Sequence, residues 1–201
     1  FYPEVGVSDI QKLQMQTSRG NNVKVIAVKG NFDDCQRLVK DAVSSEPVKD
    51  ALHNVTISSA NSINVGRLVP QMVYYYASYI KMVNDHEIKC GDTVDFVVPT
   101  GNFGDILAGY LAKLAGLPVG KLICASNSNN VLTDFLKTGT YSTKREFITT
   151  ISPSMDILVS SNLERLLYMV SGYDDGFVNE MMAQLKEKGE YPIPAVMLET
   201  I

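Results

Sequence analysis

The run from Val94 to Ala115 constrains this chain more than any other. Val94, Phe96, Val97 and Val98 read as a buried strand, Pro99-Thr100-Gly101-Asn102-Phe103-Gly104-Asp105 as a tight loop with two glycines, and Ile106 to Ala115 as a helix. A helix N-terminus leaves several backbone N–H groups without acceptors and carries a partial positive charge. Glycines beside it let the main chain close on an anion with no Cβ in the way. The run therefore predicts a phosphate cradle built mostly from backbone. A tight strand-to-helix turn that binds nothing is the plainer alternative. Asp105 is the awkward member: its carboxylate suits the helix dipole but would repel a phosphate unless it points away.

The rest of the chain alternates in the same way. Ser8 is a candidate N-cap for a short helix ending near Gly20, Val23 to Val28 a strand, and Gly30 to Asp34 the acidic opening of a helix that Ser44-Ser45-Glu46-Pro47 breaks. His53 to Ile57 reads as a strand, Asn61 to Gly66 as a polar turn, and Leu68 to Val83 as the longest helix, with Pro70 allowed only in its first turn. Strands follow at Asp92–Val98 and Lys121–Ala125. A polar loop, Ser126–Asn130, is expected to cap a helix from Val131 to Lys137, and Gly139 to Thr150 looks irregular. Helices near Asn162–Val170 and Gly176–Lys188 come next, before Tyr191-Pro192-Ile193-Pro194 ends regular structure. Strands separated by helices of this length imply an α/β fold, a parallel sheet with helices on both faces and ligands at the carboxyl ends of its strands.

Composition narrows the function. With 45% hydrophobic and 20% charged residues the 201-residue chain is ordinary globular material, large enough for a real core. A formal charge of −4 and the lack of a basic run with interleaved aromatics argue against a nucleic-acid partner. The apolar stretches are strand-sized, too short for a membrane span. Cys35, Cys90 and Cys124 are far apart and odd in number, which suits a reducing compartment such as the cytoplasm. His53 and His86 have no partner at metal-ligand spacing, so no metal site is expected. Phe1-Tyr2-Pro3 reads as the end of a strand already under way, and the chain is expected to be a piece of something longer.

The segment Ser58-Ser59-Ala60-Asn61-Ser62-Ile63-Asn64-Val65-Gly66-Arg67 admits two readings of equal weight. One is an elaborate helix cap, since Ser and Asn lead the capping residues. The other is a donor-rich loop whose Arg67 makes a bidentate phosphate contact. The consecutive Tyr74, Tyr75 and Tyr76 spread over different helix faces, so with Tyr79 they read as core with a hydroxyl at the rim rather than as a stacking platform.

Taken in order, several blocks resemble threonine synthase of the branch found in bacteria and fungi. They are Tyr2-Pro3 with Val7-Ser8-Asp9-Ile10-Gln11, Gln14-Met15, Gly30 to Gln36, Ser58 to Asn64 with Gly66-Arg67, Pro99 to Tyr110, and Ser152 to Ile157 with Ser160-Ser161-Asn162. The resemblance covers nearly the whole chain and is weakest at its end. It implies a pyridoxal-phosphate enzyme of fold type II, the tryptophan synthase β-like architecture, converting O-phospho-L-homoserine and water to threonine and phosphate. It would divide this chain into part of a smaller subdomain, residues 1–55, and the main cofactor-binding domain, residues 56–201.

It places the cofactor's phosphate on Gly101, Asn102, Phe103, Gly104 and Asp105. Within the second polar block, Ser59, Asn61, Asn64 and Arg67 are expected on the substrate side, with Arg67 meeting the substrate phosphate. The family's catalytic lysine lies in a Ser-Phe-Lys-Asp-like motif upstream of Phe1, and no lysine here sits in such a motif. The 201 residues alone are thus expected to be inactive, and to self-associate or to be partly disordered over Phe1–Arg19, through exposed edges and apolar faces. Other enzymes of the same cofactor fold, such as threonine dehydratase or cysteine synthase, and a non-catalytic module for phosphorylated metabolites are the competing expectations.

Overall fold

A computed structural model describes residues 1–5, 7–60, 64–152 and 155–201, apart from the side chains of Phe32 and Asp33. The described chain forms two compact units, Phe1–Ser59 and Ala60–Ile201.

In the first unit, β1 (Tyr2–Pro3) and β2 (Ala27–Val28) pair in parallel. Helix α1 (Asp9–Gln16) starts at Ser8, whose side chain and that of Gln11 cap each other's backbone N–H groups reciprocally. Asn31 and Asp34 do the same at the start of α2 (Phe32–Ser44). A short α3 (Glu46–Ala51) follows, with Pro47 in its first turn, where no N–H is needed. The core is small: Tyr2 and Cys35 are buried, and Gln16 Nε2 donates to the Tyr2 hydroxyl at 2.7 Å. Two expected strands shrink or vanish. Only Ala27–Val28 of the apolar run Val23–Val28 finds a ladder partner, and His53–Ile57 finds none among the described residues, with Val55 65% exposed.

The second unit begins with α4 (Val65–Leu68), a 3-10 turn (Val69–Gln71) and α5 (Met72–Asn84). These replace the single expected helix from Leu68. Pro70 has no N–H and its ring crowds the carbonyl four residues back, so the path tightens there before α5 resumes. The parallel pair β3 (Val94–Pro99) and β4 (Val119–Ala125) flanks α6 (Gly104–Leu114) in sequence. Helix α6 is buried over Ile106, Leu107, Ala108, Gly109 and Ala112 and packs on α4, α5, the 3-10 turn and β4. Gly109 makes the α5–α6 approach possible, because a Cβ there would stand 2.6 Å from the Tyr75 ring. Tyr75 also packs edge-on against Phe96 at 5.0 Å. The other face of β3–β4 carries Val97, 65% exposed, opposite Ile123.

Beyond β4 lie α7 (Val131–Thr138), β5 (Thr140–Ser142), α8 (Leu163–Val170), α9 (Asp175–Lys188), β6 (Glu190–Pro192) and α10 (Ala195–Thr200). Strands β5 and β6 pair antiparallel, which the irregular look of 139–150 and of Tyr191–Pro194 did not suggest. The pair closes around aromatics. Tyr141 and Tyr191, opposite each other in the ladder, stack at 5.4 Å, and Phe135 meets both edge-on. Among the described residues the strands thus form three separate two-stranded sheets, two parallel and one antiparallel. No helix among the described residues is long and apolar enough to cross a membrane.

Candidate functional site

The carboxyl end of β3 opens directly into a cleft of about 320 Å³ in the second unit. Its walls are Pro99 to Ile106 with Arg67, Gln71 and Met155. All five glycine-loop residues of the sequence reading are there.

Local chemistry explains the loop's path. The Thr100 amide extends the β3–β4 ladder to the Ala125 carbonyl at 2.8 Å, and its hydroxyl folds back to the Val98 carbonyl at 2.7 Å. Phe103 then takes the left-handed conformation, φ 62° and ψ 7°, as the N-cap of α6. That conformation costs a non-glycine residue about 1 kcal/mol. Burial of the Phe103 ring, 6% exposed, offsets it. The first helical bond runs from the Leu107 amide to the Phe103 carbonyl at 3.1 Å. Among the described residues, the amides of Gly101 to Ile106 donate to no protein acceptor. They form a row of donors on one wall of the cleft, at the positive end of an eleven-residue helix.

Asp105 is accommodated from α5. The buried Tyr75 hydroxyl faces the Asp105 carbonyl at 2.8 Å and carboxylate Oδ1 at 3.2 Å. Burial, then the Asp105 charge and hydrogen bond, push the Tyr75 phenol well above its ordinary range, so it stays a donor. The carboxylate thereby keeps a protein partner while sitting in the helix's first turn.

The second polar block divides. Arg67 lines the cleft, its Nη1 donating to the Ala60 carbonyl at 3.0 Å. Asn64 caps α4 through Oδ1, which accepts the Gly66 amide at 2.8 Å, and is not among the lining residues. Ser59 closes the first unit. Asn61 lies outside the described residues.

The third polar loop corrects its expectation. Asn130 holds the N-cap position of α7 but makes no side-chain cap bond. Its neighbours look the other way, to Asp156. That carboxylate accepts Asn127 Nδ2 at 2.7 Å, Asn129 Nδ2 at 3.0 Å, and the Thr150 hydroxyl and amide at 2.7 Å each. Burial alone would raise the Asp156 carboxyl, but the bonds from Thr150, Asn127 and Asn129 outweigh it and hold the group below the usual range. Residues 143–152 and 156–162 therefore carry no α-helix or strand yet are tied to this carboxylate, which local periodicity does not reveal. Of these, Ser160 and Asn162 reach the back of the glycine loop: Ser160 Oγ donates to the Gly101 carbonyl at 2.9 Å, and Asn162 Nδ2 to the Asn102 carbonyl at 2.9 Å.

Sequence reasoning missed Gln71 and Met155 as lining residues. The signal for Gln71 was its position one helical turn after Arg67, whose carbonyl its Nε2 meets at 2.7 Å. Among the described residues that line the cleft there is one cation, Arg67, and no lysine. No group of three metal-ligating side chains stands together among the described residues.

Comparison with known proteins gives a consistent picture. No family model matches the chain. It is 44% identical over 205 residues to threonine synthase-like 1 of Macaca fascicularis, covering 100% of this chain and 28% of that protein. It is 42% identical over 208 residues to threonine synthase of Saccharomyces cerevisiae, covering 99% of this chain and 39% of that one. The crystal structure of PLP-bound threonine synthase from Brucella melitensis superposes with a TM-score of 0.80 at 42% identity, over 97% of this chain and 40% of that one. The chain thus spans well under half the length of these relatives.

Proposed function

We propose that this chain, homologous to threonine synthases along its whole length, is the part of such an enzyme that holds the phosphate of pyridoxal phosphate. The observation that carries the reading is the wall of unengaged amides from Gly101 to Asp105, facing a cleft of about 320 Å³ that also contains Arg67. The fit is chemical. A phosphate needs convergent donors and positive potential, which the loop, the α6 N-terminus and the guanidinium supply together. The volume suits a small phosphorylated molecule.

Pyridoxal phosphate, when bound, supplies an electron sink for charge developing on substrate carbons. This chain's residues anchor and orient. The amides of Gly101, Asn102, Phe103, Gly104 and Asp105 hold the cofactor phosphate. Tyr75 keeps the Asp105 carboxylate engaged so that it does not oppose the incoming anion. Arg67, across the same cleft, meets the second phosphate in the reaction, that of O-phospho-L-homoserine. Ser59 and Asn64 belong to the same block, Asn64 holding the turn that presents Arg67. Water and the phosphorylated amino acid then give threonine and free phosphate. The three free cysteines fit a reducing compartment, the cytoplasm.

The 201 residues by themselves do not turn over substrate on this reading. Their cleft brings no lysine to the cofactor aldehyde among the described residues, and none of their lysines lies in the Ser-Phe-Lys-Asp setting of the family.

The test is an intact mass after pyridoxal phosphate and borohydride, with threonine assayed in parallel. The whole protein carrying this sequence should show a single fixed pyridoxyl group and release threonine from O-phospho-L-homoserine. The 201-residue chain should show no stoichiometric adduct and no threonine. A whole protein that carries no adduct would sink the enzyme reading and leave a module that only binds phosphorylated metabolites. Measurable threonine from the short chain would overturn the inactivity.

A further inference from the structure

An anion site made of main chain has a problem that a site made of arginines lacks. Every peptide group that offers an N–H also carries a C=O, and a carbonyl turned into the site repels the anion. Something must decide which side of each peptide faces the cleft. Glycine-rich loops are the least able to decide it for themselves, because glycine adopts either orientation readily.

Two peptides of the loop are fixed from behind. Ser160 Oγ donates to the Gly101 carbonyl at 2.9 Å. The Asn102 carbonyl receives two bonds from one residue, the Asn162 amide at 3.1 Å and its Nδ2 at 2.9 Å. The loop has no cis peptide, so in each of these groups N–H and C=O point in opposite directions. Holding the Gly101 and Asn102 carbonyls on the side of residues 160–162 sends the Asn102 and Phe103 amides the other way. Residues 100–106 line the cleft, whereas Ser160 and Asn162 do not.

The holders are themselves held. Asn162 is fully buried, and Arg165 Nη1, one helical turn on, donates to Asn162 Oδ1. A guanidinium has only donors, so it accepts no other orientation of that amide: Oδ1 must face Arg165, and Nδ2 is left for the loop. The Ser160 amide donates to the Tyr141 hydroxyl at 2.8 Å, which in turn donates to the Leu158 carbonyl at 2.9 Å. Tyr141 is anchored by its stack on Tyr191.

We infer that Ser160 and Asn162, with Arg165 setting the Asn162 amide, are positioning residues that turn the Gly101 and Asn102 carbonyls out of the cleft and so create its phosphate selectivity. They touch no ligand themselves. The inference rests on the phosphate reading above and deepens it: the site's preference for a phosphate is set by a segment nearly sixty residues downstream of the loop.

The experiment compares pyridoxal phosphate with pyridoxal in the whole protein, by absorbance titration. The two probes differ only in the phosphate, so the ratio of their dissociation constants reports the cradle, while general damage to the site weakens both. The variants are Ser160→Ala, Asn162→Asp and Arg165→Ala, with Arg165→Lys as the conservative rescue. Asn162→Asp keeps size and puts an acceptor where the Asn102 carbonyl needs a donor. Arg165→Ala alters a part-exposed side chain on α8 and leaves the buried loop packing intact, so it serves if a buried variant fails to fold. The expected result is an about five- to tenfold loss of affinity for pyridoxal phosphate with pyridoxal unchanged, largest in Asn162→Asp, and partial recovery in Arg165→Lys. Equal weakening of both probes, or no change in either, overturns the inference and makes the clamp an ordinary loop staple. A native protein that shows no preference for the phosphorylated probe removes the phosphate reading itself, and the clamp with it.

Discussion

Two polar loops of this chain carry the same kind of residues and do different work. In the loop from Gly101 to Asp105, Ser160 and Asn162 take the Gly101 and Asn102 carbonyls, and the loop's amides are left over. The segment around Asn64 to Arg67 keeps its bonds local: Asn64 caps its own helix, and Arg67 reaches the carbonyl of Ala60. A string of Ser, Asn and Gly does not reveal which case applies. The difference lies in who satisfies the carbonyls. Where distant residues do so, the amides are freed for a ligand. Where the loop caps a helix, its donors and acceptors are consumed in place.

The largest effect that sharpens this contrast is at Phe103. Its buried ring ties the glycine loop to the core. Phe103→Ala should cost about 3 kcal/mol in denaturant unfolding. Phe103→Gly should cost less than Phe103→Ala, reversing the usual order, because φ 62° favours glycine by about 1 kcal/mol. A glycine variant less stable than the alanine one would mean that the left-handed cap contributes no strain.

Next in size is Asp156, whose carboxylate organises the segment that delivers Ser160. Asp156→Ala removes the acceptor shared by part-buried Asn127 and Thr150 and buried Asn129; Asn127 and Asn129 keep second acceptors at Thr150 Oγ1 and the Ile148 carbonyl, so the change should cost about 1–2 kcal/mol. The pH dependence has a definite sign. The folded carboxyl lies below its ordinary range, so folding favours the ionised form. Its contribution is complete above the unfolded value of about 3.9 and is lost as pH falls through the lower folded value. Wild type should therefore lose stability relative to Asp156→Asn on acidification below about pH 4 and hold a constant margin above it. A margin that shrinks between pH 5 and 7 would assign the titration to another group.

This network also marks the limit of what the sequence made legible. The strand, the glycine loop and helix α6 were readable because all their signals lie within some twenty residues: β-branched apolar runs, glycines, then helical periodicity. The cap at Ser8 and the helix opening at Gly30–Asp34 were readable for the same reason. What escaped is long-range. Tyr141 finds Tyr191 across fifty residues, Asn129 finds Asp156 across 27, and Ser160 finds Gly101 across 59. Such bonds are made by single side chains with no period, so the loop at Ser126–Asn130 looked like a helix cap. The threonine synthase resemblance supplied the block Ser160-Ser161-Asn162 as a pattern, but only the geometry gives it work to do.

The smallest effect on stability, and the cleanest break between the loops, is at Arg67. Its side chain sits at the cleft and, among the described residues, donates to the Ala60 carbonyl alone, so Arg67→Ala should change unfolding free energy by less than about 0.5 kcal/mol. Asn64→Ala, three residues away, removes a cap and should cost about 0.5–1 kcal/mol. Ligand binding should rank them the other way. If Arg67 meets the substrate phosphate as proposed, removing its guanidinium should weaken O-phospho-L-homoserine about tenfold, less at high salt. Removing the Asn64 cap should leave that affinity within about twofold, because the residue touches its own helix and not the cleft. The pair therefore separates scaffold from site by a crossing of two orders rather than by one magnitude. If instead Asn64→Ala abolishes substrate affinity while Arg67→Ala leaves it intact, the block is a recognition loop after all, and the distinction between locally and distantly satisfied carbonyls fails at its second example.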